Sequence, residues 1–437
     1  MSSYVTISLS TEAFWQPPYR SQGNGCLIGN GGTNAPQKFW LIRPSGSDYD
    51  SLATDSDLKN AVDAWYKQRN ARKVLCINTG SINSMSITDE VPRPIPTGDI
   101  TEFFVSATPV QSIDGVTLVI GTNTYDLPAG GYSYTPTQIG GQYTGEITIT
   151  PAPPRGTRIY VDYSIEALPA ALKMSMSEDV QLVVLCNETN LTNLQMLADH
   201  VDLAFASARF RMGVAMLPQG QTVSGSYRSW PTDLATENMM LVMHNSSEDA
   251  AAGYAGALSG LRVFDDPILM PVNLTYTNTF SDSDRLGAEA AKVICLDRYY
   301  SNELGLRALQ SFTLSPTTDR QYIDTVRTYQ DLMYRLISTL DSPNVIGKRP
   351  FTKAGIARLK SDIYSAFLIP IRIGEIVQIT GIDIPLEDII RTPYNQRTDA
   401  ERTALQNAKA NRILGDITVS YEAISYPHKL ELTLKVV

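Results

Sequence analysis

Histidine, cysteine and charge are all scarce in this chain, and each shortage removes a class of chemistry. Three histidines (His200, His244, His428) and four cysteines (Cys26, Cys76, Cys186, Cys295) are spread over 437 residues. No histidine has a second histidine or a cysteine at ligand spacing, whereas a zinc site takes three or four such ligands, so no metal is expected. His244 closes an apolar run and reads as a satisfied core histidine. The cysteines lie far apart and mostly in apolar runs such as Val74-Leu-Cys-Ile77. That is the pattern of reduced, buried thiols rather than of a disulfide framework. Nowhere do apolar residues run to the ~18–20 that a membrane-spanning helix needs. Met1-Ser-Ser-Tyr4 opens without the basic and apolar regions of a secretory signal, so none is expected, and the Asn-x-Ser/Thr triplets at Asn187, Asn190, Asn245 and Asn273 count as coincidence. The net charge of −9 disfavours non-specific binding to nucleic acid or to an anionic membrane.

Catalytic signatures are equally thin. No Gly-x-Ser-x-Gly elbow occurs. Gly23-Asn-Gly-Cys-Leu-Ile-Gly-Asn-Gly-Gly32 contains Gly-x-Gly, but no Gly-Lys-Ser/Thr follows it and Thr33–Pro36 blocks a helix start, so the stretch reads as a connector and not as a phosphate loop. Asp265-Asp266 and Asp282-x-Asp284 read as solvated turns or helix caps, with Asp284 a natural cap. No catalytic residue, cofactor or metal ligand is assigned, and the chain is expected not to be an enzyme.

Apolar material is ample. With 43% hydrophobic residues, a chain of this length builds two to four domains of about 100–200 residues each. Residues 1–24 open with an alternating strand, Val5, Ile7 and Leu9 against Tyr4, Thr6 and Ser8. Residues 25–92 and 165–312 read as a discontinuous α/β middle: strands near Phe39–Ile42, Val74–Asn78, Val180–Cys186, Met212–Leu217 and Met239–His244, helices at Ser56–Arg69, Leu191–Ala208 and Asp249–Leu261, and mostly helix from Asp284 to Phe312. Residues 93–164 carry frequent prolines between short β-type runs such as Val116–Ile120 and Ile159–Ser164, which read as an inserted all-β domain. Residues 313–437 form an α+β domain. It has a long amphipathic helix after Thr317-Thr-Asp319, a second helix from Thr352 burying Ile356, Leu359, Ile363 and Phe367, a strand over Glu375–Ile384, and a helix opened by the capping box Thr398-x-x-Glu401. Alternating strands end it, with Ile417, Val419 and Tyr421, then Leu430, Leu432, Leu434 and Val436.

Two features stand out. Lys348, Arg349, Lys353, Arg358 and Lys360 occur with no acidic residue between Asp341 and Asp362, which makes either an ordinary solvated face or a dock for an acidic partner protein. Strand patterning also reaches close to both chain ends. Such strands either close their own domain's sheet or are donated to a neighbouring subunit by β-augmentation.

The C-terminal segment resembles the contractile tail sheath proteins of tailed phages and related injection systems. Ser315-Pro-Thr-Thr-Asp-Arg-Gln-Tyr-Ile-Asp-Thr-Val-Arg327, the long helix after it, Pro350-Phe-Thr-Lys-Ala-Gly-Ile356, Gly374-Glu-Ile376 and the closing strands carry the resemblance. It implies a homo-oligomer stacked as rings around a tail tube protein, with baseplate and tail terminator partners, located in a virion tail or injection particle assembled in a host cytoplasm. Nucleic acid and membrane are not implied as partners. It further implies that the terminal segments, here Tyr4–Ser10 and Lys429–Val437, complete a sheet in adjacent subunits, and that the C-terminal domain faces the tube. Lys348–Lys360 is then a reasonable tube-facing surface. Two alternatives stay open: an α/β enzyme with a β-rich accessory domain, and another virion part such as a baseplate or tube component.

Overall fold

The structure, a computed structural model, describes residues 23–32, 38–80, 84–105, 110–134, 138–139, 142–143, 145–299, 305–342, 345, 347–415 and 417–424. Its first strand, β1 (Gly25–Gly29), is followed by edge strand β2 (Lys38–Leu41), one turn of helix α1 (Ser47–Asp50), helix α2 (Asp57–Tyr66) and strand β3 (Val74–Asn78). Helix α2 begins where the Ser56 side chain accepts from the Lys59 backbone N–H, and it turns Leu58, Val62 and Trp65 inward.

A run of short strands comes next: β4 (Ser84–Glu90), β5 (Glu102–Phe104), β6 (Val110–Ile120), β7 (Asn123–Asp126), β8 (Tyr132–Tyr134), β9 (Gln138–Ile139), β10 (Gln142–Tyr143), β11 (Glu146–Ile149) and β12 (Arg158–Glu166). They form small sheets in the orders β4-β12-β6-β7, β5-β11-β8 and β9-β10. Alternate residues of β12 point inward, and Phe103, Val116, Ile147, Ile159, Val161 and Tyr163 build a hydrophobic cluster separate from the main sheet's.

The chain then returns to the main sheet with α3 (Ala167–Ser175), β13 (Leu182–Leu185), α4 (Leu191–Ala206), β14 (Met212–Met216), α5 (Trp230–Asp233), β15 (Met239–Met243), α6 (Ala250–Ser259), β16 (Pro271–Val272), α7 (Asp282–Ala290), β17 (Ile294–Asp297) and β18 (Leu306–Ala308). The sheet order is β16-β18-β17-β15-β14-β13-β1-β3-β2. The strands from β3 to β17 in that order run parallel, and β2 and β18 pair antiparallel at the two sides. Alternate strand residues feed opposite faces. Leu27, Val74, Cys76 and Val184 pack under α2 and α6, while Cys26, Ile28, Leu75 and Val183 pack under α3 and α4. A parallel sheet covered on both sides needs strands apolar throughout, and the four described residues of β13 are all buried.

Two expectations fail here. Gly23–Gly32 is not a connector, because its middle is β1, paired on both sides by β3 and β13. Its glycines serve close approach rather than flexibility: a Cβ on Gly25 would sit inside the Trp65 ring, and one on Gly29 would lie 2.6 Å from the Cys186 Cβ. Nor is Asp284–Phe312 mostly helical. α7 ends at Ala290, Lys292 takes a left-handed φ of 59°, and Ile294–Asp297 enters the sheet fully buried. A four-residue apolar run carries no period that separates strand from helix, so burial decided it. The start of α7 also differs in detail, since Ser281 is the cap and Asp284 reaches back to it in a capping box.

The last part holds α8 (Ile323–Leu340), α9 (Lys353–Ile373), β19 (Ile376–Asp383), α10 (Leu386–Arg391), α11 (Asp399–Asn411) and β20 (Thr418–Ala423). Thr352 caps α9, and Gly374 ends it in the left-handed conformation at φ 75°. The expected box at Thr398 and Glu401 opens α11. β19 and β20 pair antiparallel as a two-stranded ribbon over a core containing Leu332, Ile356, Leu359, Ile363, Phe367 and Ile376. The architecture is thus mixed α/β: a large sheet, small all-β sheets and a helical C-terminal part with a ribbon.

Tight helix packing gives a test. A Cβ on Gly256 of α6 would lie 2.6 Å from the Trp65 carbonyl oxygen on α2, whereas one on Gly287 of α7 would meet nothing within 4 Å. Gly256→Leu should therefore destabilise by about 2 kcal/mol or more. Gly287→Ala should stabilise by about 0.5–1 kcal/mol through helix propensity. Denaturant midpoints of the two variants read both effects.

Candidate assembly surface

Ligands of open parallel sheets bind beyond the carboxyl ends of the strands. At that edge the polar side chains are occupied in holding loops. Asn78 Oδ1 accepts from the Gly31 and Gly80 backbone N–H at 2.7 and 2.9 Å. Asp249 accepts from Ala252 N at 2.8 Å, capping α6, and from Asn187 N at 2.7 Å, while Asn187 Nδ2 donates to Asp57 at 3.0 Å. Burial raises the Asp249 carboxyl to about 6 against the lowering effect of those bonds. At the opposite, amino edge, a cleft between the sheet and α8 is lined by Leu182, Met212, Val263, Arg327, Gln330 and Asp331 and offers 20 Å³. That is room for about one water molecule, not a substrate.

His200 and His244 are core residues, while His428 lies outside the described residues. His244 Nε2 lies 2.9 Å from the Leu217 carbonyl, and its Nδ1 accepts from Ser246 N at 3.2 Å. Burial lowers it to about 4, and burial with the nearby Arg211 charge lowers His200 to about 3. All four cysteines are free and buried. Among the described residues, no group of three or more His, Cys, Asp or Glu is placed to hold a metal ion.

The surface is more informative. Lys348, Lys353 and Arg358 are exposed, as the basic stretch requires. Arg349 instead donates through Nε and an Nη to both oxygens of Asp362, at 2.6 and 3.0 Å, and Lys360 is ion-paired with Glu387. Three of the five expected cations therefore face outward without an internal acidic partner among the described residues. These partners lie 13 and 27 positions away in sequence, so local charge patterning does not reveal them.

Helix α9 buries Ile356, Leu359, Ile363 and Phe367 as expected, but it carries a second apolar stripe that the sequence reading missed. Tyr364, Leu368, Ile369 and Ile373 are 45–58% exposed, and Val377 at the start of β19 continues the stripe at 48%. The available signal was Phe367-Leu-Ile369, consecutive apolar residues that one helix face cannot bury together.

The ribbon completes the surface. Ile417 and Val419 pack, half-buried, on the C-terminal core, and Val419 pairs with Ile382 of the same chain. Among the described residues, each ribbon strand has one partner only, leaving an edge on either side. Such an edge presents unpaired backbone donors and acceptors to any added strand. Tyr4, Val5, Ile7 and Leu9, and Leu430, Leu432, Leu434 and Val436, lie outside the described residues.

A scan against protein-family models and a search of curated proteins return no match. Among solved structures, the chain matches the helical sheath of the anti-feeding prophage in its contracted state with a TM-score of 0.56 and 9% identity, covering 99% of both chains. It also aligns with a sheath tail protein from Desulfitobacterium hafniense at a TM-score of 0.49 and 12% identity, covering 86% of this chain and 93% of that one. The sheath of an extracellular contractile injection system, PVC, aligns at 0.43 and 12% over 59% and 71%. The chain has the contractile-sheath fold.

The neutral histidines set an acid limit. Their folded values lie below the ordinary 6.5, so the native state binds fewer protons than the unfolded chain in that range. The contribution of His200 and His244 is complete above pH 6.5 and falls as pH drops toward about 4. Denaturant midpoints at pH 4.5 and 6.5 isolate it by comparison: lowering the pH should cost the wild type more than the His200→Gln, His244→Gln double variant.

Proposed function

We propose that this protein is a structural subunit of a contractile tail sheath, non-enzymatic, which polymerises around an inner tube and contracts to drive that tube through a target envelope. The observation carrying this reading is the match to a helical sheath over 99% of both chains. The ribbon supports it: an isolated two-strand sheet is marginal, and β19–β20 has edges suited to strands from neighbouring copies. The alternating residues Tyr4–Leu9 and Leu430–Val436 supply such strands in this reading, so that ladder hydrogen bonds link subunits through a reorientation. Residues 1–24 then act as an arm, 93–164 as an outer domain inserted between the 25–92 and 165–312 parts of the middle, and 313–437 as the tube-side domain.

In the same reading, Lys348, Lys353 and Arg358 meet an acidic tube surface, joined by Arg349 and Lys360 only where their internal pairs exchange. Baseplate and terminator proteins cap the ends, and the particle is a phage tail or a related injection device built in a host cytoplasm. Contraction draws on energy stored in the lattice and uses no nucleotide.

Two experiments bear on this. Removing residues 1–22 should leave a folded, soluble protein that forms no cylinders in electron micrographs, and cylinders of normal length would refute the arm. Reversing Lys348, Lys353 and Arg358 to Glu should weaken co-sedimentation with tube, most strongly at low salt, because exposed charges are screened beyond about 10 Å at 0.1 M. Unchanged co-sedimentation at every salt concentration would remove the tube-facing assignment.

A further inference from the structure

Glu375 lies at the root of the ribbon, between the left-handed Gly374 that ends α9 and the first residue of β19. It is 1% exposed, and both carboxyl oxygens are sealed from water without an N–H or hydroxyl donor. What it meets instead is another carboxyl, that of Asp331 on α8. Asp331 is itself 3% exposed and accepts from Arg335 Nε one turn further along. Two buried carboxyls facing each other repel when both are ionised, and the contact is stable when one holds a proton and donates it to the other.

We propose that Glu375 is a proton-dependent seat for the β19–β20 ribbon. Protonated, it donates a hydrogen bond to Asp331 and the ribbon packs down on α8; ionised, having lost that proton to solvent, it faces Asp331 as a second buried carboxylate and the ribbon loosens.

The surroundings set the direction. Burial raises the Glu375 carboxyl first and the Asp331 charge raises it further, to about 8, against the lowering influence of Arg335. On the ribbon side the facing group is Tyr421 of β20, whose hydroxyl is raised by burial, by Tyr329 of α8 and by Glu375, and lowered by Arg320. Arg320 is held by Glu237, at 2.8 and 3.0 Å. Because the folded value lies above the ordinary 4.5, the native state holds a proton that the unfolded chain has released. The seat therefore loses stability as pH rises from 4.5 to about 8, and is fully ionised above that. Between pH 6.5 and 8 the pH lies above the folded values of His200, His244 and Asp249, and the buried thiols, raised from 9.0, stay protonated, so Glu375 dominates that window.

The consequence for assembly, release of the strand-accepting ribbon at alkaline pH, rests on the proposed sheath function; the seat itself is tested on unassembled protein. Hydrogen exchange of the full-length protein, expressed as protection factors, is measured at pH 6.5 and pH 8. In the wild type, β19, β20 and the middle of α8 should lose protection by about tenfold while β13–β15 hold. Glu375→Gln, which keeps a donor and cannot ionise, should abolish the loss. An equal loss in that variant, or a loss spread evenly over the main sheet, overturns the proposal. Should Glu375→Gln not fold, Asp331→Asn removes the facing charge and frees Arg335 for Glu375. The loss should then vanish, and its persistence at full size is equally decisive against the seat.

Discussion

Helix α8 is the packing element on which both halves of the molecule depend. Its first turn places Ile323 and Val326 in the cluster beneath the main sheet, its middle and end place Leu332 and Leu340 in the C-terminal core, and Tyr334 and Ile337 close on Ala208 and Phe210 at the end of α4. Burial on several sides also explains its polar residues. Arg327 donates to the Leu261 and Arg262 carbonyls, Gln330 donates to Asn238 at 2.9 Å, and the Arg320 guanidinium just before the helix stacks 4.2 Å from the Tyr329 ring. A helix fixed on all these sides transmits any displacement of the C-terminal part to the main sheet, because packed interiors are not freely compressible.

Beside α8, the main sheet relies on near-absence of side chains at a few points. β1 threads between β3 and β13 only because Gly25 admits the Trp65 ring and Gly29 admits Cys186. The same economy lets α6 approach α2 at Gly256. The result is an interior in which His200, His244 and the four cysteines are packed and Asp249 caps a helix.

The surface is divided. α9 shows Lys353 and Arg358 toward its N-terminal end, with Lys348 just before the helix, and an apolar stripe toward its C-terminal end; β19 follows closely. An exposed apolar stripe of this kind is commoner at interaction surfaces than on solvent faces, and it lies beside a ribbon whose edges have no partner among the described residues.

The sequence by itself determined whatever depends on neighbours within a few positions: the capping box at Thr398 and Glu401, the cap at Thr352, the buried face of α9, the buried run Val74–Asn78 and the alternating strands of the inserted all-β segment. These follow from periodicity and from backbone groups that must be satisfied locally. Only the tertiary structure decided the rest. The middle of Gly23–Gly32 became an interior strand because glycine signals a turn and a close approach alike, and the difference is the Trp65 ring, 40 residues from Gly25 in sequence. Ile294–Asp297 became a strand because a four-residue run has no period. Arg349 and Lys360 left the free basic surface because Asp362 and Glu387 reach them only once the helices pack. Glu375 met Asp331 for the same reason: long-range contacts form where the energy of burial, summed over the whole chain, brings distant residues together, and no local pattern records that sum.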